Sequence, residues 1–191
     1  MNIIFWGTPD FAVPCLNALH DSGHKLLAVV SQPDRRRSRG KAISPSPVKK
    51  RGIELGIPVI TTESIKKDKV IQEKLRDLNA DIYIVVAFGQ ILPSEILKQP
   101  KLGCWNCHAS LLPRWRGAAP IQWSIANGDK ETGVDFMLMN EGLDTGPVLL
   151  QRRLGIKLKD NYKIISDQLS ILASEIMLQA LNIIGSQRYN L

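Results

Sequence analysis

Three residues could together handle a carbonyl group: Asn106, His108 and Asp144. Asn106 and His108 close an apolar run and stand two apart, so a strand would place both side chains on one face and project them from its end. An amide donor beside an imidazole suits attack on a carbonyl. The amide can hydrogen-bond a developing oxyanion, and the imidazole can stabilise the same charge or move a proton. Asp144 lies in Glu141-Gly142-Leu143-Asp144-Thr145-Gly146-Pro147, a glycine-rich turn between two apolar runs. Its carboxylate could orient His108 or relay a proton through water, and the glycines let backbone approach a flat ligand closely. The same residues also suit a hydrogen-bonded strand end and an ordinary Asp turn. Residue type and spacing alone therefore leave the chemistry open.

The elements that must position these groups follow from the apolar periodicity. Strands are predicted over residues 2–6, 25–30, 58–60, 81–87, 103–108, 134–139 and 148–154. Helical spacing predicts helices over 10–21, 48–55, 65–78, 118–127 and 162–184, with Pro14 awkward inside the first. Residues 31–47 hold proline, serine, glycine and arginine and read as a long loop. A loop beyond ~12–15 residues in a compact domain is usually functional or disordered. Strand–helix alternation implies an α/β, Rossmann-like fold with a mainly parallel sheet and helices on both faces. In such sheets ligands bind beyond the carboxyl ends of the strands, where Asn106 and His108 would sit.

Length and composition narrow the function classes. The chain has 191 residues and 44% hydrophobic content, enough for one domain with a sizeable core. No apolar run reaches the ~18 residues of a membrane span, and the first residues lack the positive start of a secretory signal. Three cysteines, Cys15, Cys104 and Cys107, with no export signal, imply reduced thiols and a cytoplasmic setting. The net charge is +7, and its location matters more than its size. Between Asp34 and Arg51 lie Arg35, Arg36, Arg37, Arg39, Lys41, Lys49, Lys50 and Arg51 against a single acid, so the rest of the chain balances to zero. One basic segment on a neutral domain is either a solvated loop or a site for a polyanion, and its one-sidedness favours the polyanion.

Two familiar signatures fail. Gly7-Thr8-Pro9-Asp10 lacks the G-x-G-x-x-G spacing of a dinucleotide fold, and its proline stands where amides should cradle phosphate, although the turn can still line the cleft. Cys104-Trp105-Asn106-Cys107 has redox spacing, but a reactive pair wants a helix N-terminus. On a strand, positions three apart face opposite sides. No second pair completes a zinc site, so both cysteines read as packing residues, with no metal.

Asn106-x-His108 followed by Ser110-Leu111-Leu112-Pro113 and Arg116-Gly117, with the later Gly142-Leu143-Asp144-Thr145-Gly146, resembles the signature of the 10-formyltetrahydrofolate-dependent formyltransferases. Five further stretches are similar to the branch of that family acting on methionyl initiator tRNA. They are Gly7-Thr8-Pro9-Asp10-Phe11-Ala12, Gln32-Pro33-Asp34-Arg35, Ser46-Pro47-Val48-Lys49, Ala87-Phe88-Gly89-Gln90-Ile91-Leu92-Pro93 and Arg116-Gly117-Ala118-Ala119-Pro120-Ile121-Gln122. The matches run from residue 2 to about residue 155. The resemblance implies transfer of a formyl group from 10-formyltetrahydrofolate to the α-amine of methionyl initiator tRNA. It implies Asn106, His108 and Asp144 as the catalytic trio. Ser110, Leu111, Leu112 and Pro113 would lie against the folate, with Phe88, Gly89, Gln90, Ile91, Leu92 and Leu143 walling its pteridine pocket. Arg35, Arg36, Arg37, Arg39 and Lys41 would grip the tRNA acceptor arm.

Three features depart from the family pattern. Cys107 replaces a branched apolar residue, and Trp123 replaces a commoner small or basic one. Family members also carry a β-rich tRNA-binding domain, so residues 1–191 are expected to be the catalytic domain alone, and a monomer is expected. Rival readings are formyl transfer to a sugar nucleotide or glycinamide ribonucleotide, hydrolysis of the formyl-folate, and an RNA-binding module with an inactive site. The first two would have less use for the basic segment, and the last would have no need of the trio.

Overall fold

The computed structural model describes residues 1–36 and 43–186. Strand β1 (Asn2–Gly7) leads through a 3-10 turn (Asp10–Ala12) into helix α1 (Val13–Asp21) and strand β2 (Lys25–Ser31). Pro14 is accommodated because the helix begins at Val13, leaving proline in the first turn, where its missing N–H is no loss. Strands β3 (Arg35–Arg36) and β4 (Ile43–Ser44) follow, then α2 (Pro47–Glu54), β5 (Val59–Thr61), α3 (Lys69–Asp77) and β6 (Ile82–Val86). The chain continues through α4 (Ser94–Leu97), β7 (Cys104–His108), α5 (Pro120–Ala126), β8 (Glu131–Leu138), β9 (Val148–Gly155) and α6 (Tyr162–Gly185).

Seven strands form one sheet in the order β5-β2-β1-β6-β7-β8-β9. The first five are parallel; β7–β8 and β8–β9 are antiparallel. Counted within this sheet, the parallel strands run third-second-first-fourth-fifth. Strand order therefore reverses between β1 and β6, the place where open α/β sheets leave a crevice for a ligand. Side chains alternate between two core layers, as the strand period requires. Ile3, Phe5, Ile84, Trp105 and Cys107 pack on one face with Leu16 and the inner side of α6 (Leu169, Ala173, Met177 and Leu181). Ile4, Trp6, Tyr83, Val85 and Cys104 pack on the other with Leu75 of α3 and Ile96 of α4. Cys104 and Cys107 are thus buried on opposite faces of the sheet, and burial pushes the Cys104 thiol far up.

Three details of the secondary structure differ from expectation. Residues 31–47 contain a two-residue antiparallel pair, Arg35 with Ser44 and Arg36 with Ile43. The helix expected from residue 65 starts at Lys69, because the Asp68 carboxylate accepts from the Ile71 amide at 3.1 Å and caps it there. The short helix α4, after Pro93, is additional. Although polar residues interrupt its apolar run, α6 is long and apolar enough by length and composition to cross a membrane, with mean hydropathy 1.3. Here its buried side supplies Ile165, Leu169, Ala173, Ile176, Met177, Ala180, Leu181 and Ile184 to the core.

Candidate active site

Strand β7 lies between β6 and β8 and delivers Asn106 and His108 on one face, Asn106 half-buried and His108 buried. The loop between β8 and β9 brings Asp144 to both. Its Oδ1 accepts from Asn106 Nδ2 at 3.4 Å, and its Oδ2 stands 3.6 Å from His108 Nδ1 and accepts from the Gly117 amide at 2.7 Å. His108 Nε2 lies 2.9 Å from the Trp115 carbonyl oxygen. A carbonyl can only accept, so Nε2 carries the hydrogen and Nδ1 is the nitrogen turned to Asp144. The sequence-predicted trio is therefore assembled, and two short loops hold it.

Those loops adopt demanding conformations. Trp115, Ala119 and Asp144 have left-handed φ angles of 58°, 58° and 49°, and Ala87, just after β6, has one of 48°. Non-glycine residues rarely adopt such angles, and they cluster where a structure stores strain at functional sites. Asn140 staples the Asp144 loop, its Oδ1 accepting from the Gly142 amide at 3.0 Å and the Thr145 hydroxyl at 2.8 Å. Gly146 lets the loop dock: a Cβ there would stand 1.8 Å from the Leu138 carbonyl oxygen.

The residues expected against the folate divide into scaffold and free groups. Ser110 is fully buried, and its hydroxyl donates to the Arg114 carbonyl at 2.7 Å. Leu111 packs on Gly133, and the Leu112 amide donates to Asp135 Oδ2 at 2.7 Å, while Pro113 is exposed. Phe88 packs edge-on to Trp6 in the core, and Leu92 is buried. Gln90 ties its loop to the chain before α3, accepting from the Ile65 amide and donating to the Thr62 carbonyl, each at 2.9 Å. The carbonyls of Phe88 and Gly89 accept from Gln32 Nε2 at 3.0 and 3.1 Å. Ile91 and Leu143 are exposed apolar side chains, free to meet a ligand.

A cavity of about 370 Å³ opens where the strand order reverses, lined in part by Thr8, Gln32, Arg35, Ser46, Phe88 and Gly89. The Gly7-Thr8-Pro9 turn thus lines a cleft without a dinucleotide fingerprint. Another, of about 400 Å³, is lined by Leu111, Arg114, Trp115, Lys130, Gln151 and Arg153 among others. Asn106, His108 and Asp144 line neither.

Arg35 faces the first cavity and Arg36 completes β3. Arg37, Arg39 and Lys41 lie outside the described residues. Lys49 pairs with Asp34 at 2.8 Å, and Arg51 Nε donates to Asn17 at 2.7 Å, so these two charges are tied to the fold.

Sequence reasoning missed Asp135. It is fully buried on β8 directly opposite His108, and its Oδ1 has no hydrogen-bond partner. Burial pushes its carboxyl up, against the pull of the Leu112 amide and of nearby Gln151, which does not complete a hydrogen bond to Oδ1. The available signal was an acid inside the otherwise apolar run of residues 134–139.

The profile of the family described as formyl transferase matches residues 1–181. The chain belongs to the formyl transferase family. Among its relatives, methionyl-tRNA formyltransferase of Synechococcus sp. (strain WH7803) is 60% identical over 184 residues, covering 96% of this chain and 54% of that protein. The protein of the same name from Prochlorococcus marinus (strain NATL2A) is 58% identical over 181 residues, covering 95% and 54%. The chain spans about half the length of the curated relatives it matches. Solved structures of similar shape include glycinamide ribonucleotide transformylase 1 from Symbiobacterium toebii, with TM-score 0.84 and 17% identity, covering 100% of this chain and 90% of that one. Phosphoribosylglycinamide formyltransferase from Bacillus halodurans gives TM-score 0.82 and 19% identity over 100% and 98%. At these identities the structures speak for the fold.

Proposed function

We infer that this domain transfers a formyl group from 10-formyltetrahydrofolate to the α-amine of methionyl initiator tRNA, with Asn106, His108 and Asp144 as its catalytic residues. The observation that carries this reading is the Asp144 carboxylate, within 3.4 Å of Asn106 Nδ2 and 3.6 Å of His108 Nδ1 at the end of β7. The neutral amine attacks the formyl carbon on N10 of the folate. Asn106, whose amide has a second hydrogen to give, stabilises the tetrahedral oxyanion, and His108, its Nε2 hydrogen held by the Trp115 carbonyl, adds positive charge there once Nδ1 takes a proton. Asp144 holds His108, or a water, to take the amine proton, and a proton passes to N10 as the carbon–nitrogen bond breaks. Ile91, Leu143 and the Gly89 backbone offer walls for the pteridine, while the other expected folate residues shape the loops that carry them.

The choice of acceptor rests on the relatives at 58% and 60% identity and on the basic segment. The test is to incubate the protein with 10-formyltetrahydrofolate and methionyl initiator tRNA and look for formyl-methionyl-tRNA. Product on glycinamide ribonucleotide alone would replace the acceptor. Free formate alone would replace transfer by hydrolysis. Changing Arg35, Arg36, Arg37, Arg39 and Lys41 together to alanine should weaken tRNA binding, flatten its salt dependence and leave folate binding unchanged. Unaltered tRNA affinity would return the segment to a solvated loop.

A further inference from the structure

Beside the trio stands an aromatic shelf that the proposed chemistry does not use. Trp115 and Trp123 stack with ring centroids 6.0 Å apart and planes 14° from parallel. Trp123, on α5, is 55% exposed. The Arg114 guanidinium carbon lies 4.4 Å from the Trp115 ring centroid. Asp129 fixes both neighbours: it accepts from Trp115 Nε1 at 2.7 Å and from Arg114 Nε and Nη2 at 3.0 and 2.7 Å. Asn127 Nδ2 adds a fourth donor at 3.0 Å. Trp115 is also the residue whose carbonyl takes the His108 Nε2 hydrogen, so the shelf connects to the reaction centre through one residue.

The chemistry of the shelf selects its occupant. A large indole held with more than half its surface in water presents a flat apolar face, which another flat ring covers best. The exposed groups around it include the cations Arg116 and Lys130, while Arg114 is paired with Asp129 and, in the adjoining 400 Å³ cavity, Arg153 is paired with Glu131. An apolar protein surface would be a poor match for such a rim. A single-stranded nucleic acid offers both a ring to stack and phosphates for the cations. The four donors on Asp129 hold the platform before any ligand arrives, so little ordering remains on binding.

We propose that the Trp115–Trp123 pair is a stacking platform for an unpaired base at the 3′ end of the RNA acceptor, seating the charged end over His108. The proposal rests on the reading of charged tRNA as acceptor and adds where its terminal nucleotides lie.

The test measures binding of the single-stranded trinucleotide CCA, and steady-state kinetics with methionyl initiator tRNA, in the protein and its Trp123 variants. Trp123→Ala should weaken CCA binding and raise KM for charged tRNA by about 10-fold or more, with turnover at saturation kept. Trp123→Phe should retain most of both, because it keeps a flat ring. Wild-type CCA affinity in Trp123→Ala, or equal losses in the alanine and phenylalanine variants, would overturn the platform. Normal formyl transfer without dependence on Trp123 would sink the platform and leave the acceptor standing. Trp123-dependent CCA binding without formyl transfer would sink the acceptor and leave the platform.

Discussion

Two carboxylates flank the strand end that carries His108, and they are built in opposite ways. Asp144 arrives on a glycine-rich loop and keeps 12% of its side chain exposed, with an N–H donor on each oxygen. Asp135 is fixed within β8, fully buried, with a donor on Oδ2 and none on Oδ1. The loop carboxylate is satisfied and faces the groups that would touch substrate. The strand carboxylate supports the turn after His108 through the Leu112 amide and leaves one buried oxygen unsatisfied, which costs folding free energy. An acid near a histidine is therefore assigned by what its oxygens meet rather than by proximity.

The sharpest way to break this contrast is to remove each side of it. His108→Ala or Asp144→Ala should lower turnover by at least ~100-fold with little change in folate affinity, since their work is done in the transition state. Near-normal turnover in both would end the catalytic assignment. Gly146→Ala removes no catalytic group but drives a methyl into the Leu138 carbonyl. The displaced Asp144 loop should cost about 10- to 100-fold in turnover. A variant as active as the parent would show that the loop tolerates slack.

Asp135→Asn should change turnover by less than about 10-fold and act mainly on stability. Burial raises the Asp135 pKa from its ordinary value of 3.8, so the folded state holds this proton more tightly than the unfolded chain does. The contribution of Asp135 is then fully present below pH 3.8 and is lost as pH rises through the folded value. Asparagine keeps an acceptor for Leu112 and removes the charge. The Tm of Asp135→Asn relative to the parent should thus rise as pH increases above about 4, by a few degrees. A difference that stays flat over that range would show that burial of the charge is not what costs stability.

Much of this was legible in the sequence. The apolar runs around residues 2–6, 81–87 and 103–108 mark strands buried on both faces, and the structure matches them closely. Period two alone put Asn106 and His108 on one side. Their meeting with Asp144 was not local information: Asn106 and Asp144 stand 38 positions apart, and only the family resemblance joined them. The pair β3–β4 escaped because two arginines opposite Ile43 and Ser44 carry no hydrophobic period. The place of Ser110 against the folate comes from the family resemblance alone, and the hydrogen bond by which its hydroxyl closes the turn on the Arg114 carbonyl could not be read from the sequence. Asp135 could not be assigned from sequence, since its meaning depends on the opposing residue across the sheet.

The strand carrying Asn106 and His108 is also where the sheet changes direction, parallel to β6 and antiparallel to β8. It is hydrogen-bonded along both sides. A slip of one residue would need both ladders to break together, and it would turn Trp105 and Cys107 toward the site in place of the amide and the imidazole. In this molecule an error of register is an error of chemistry, and two neighbours of opposite sense proofread it.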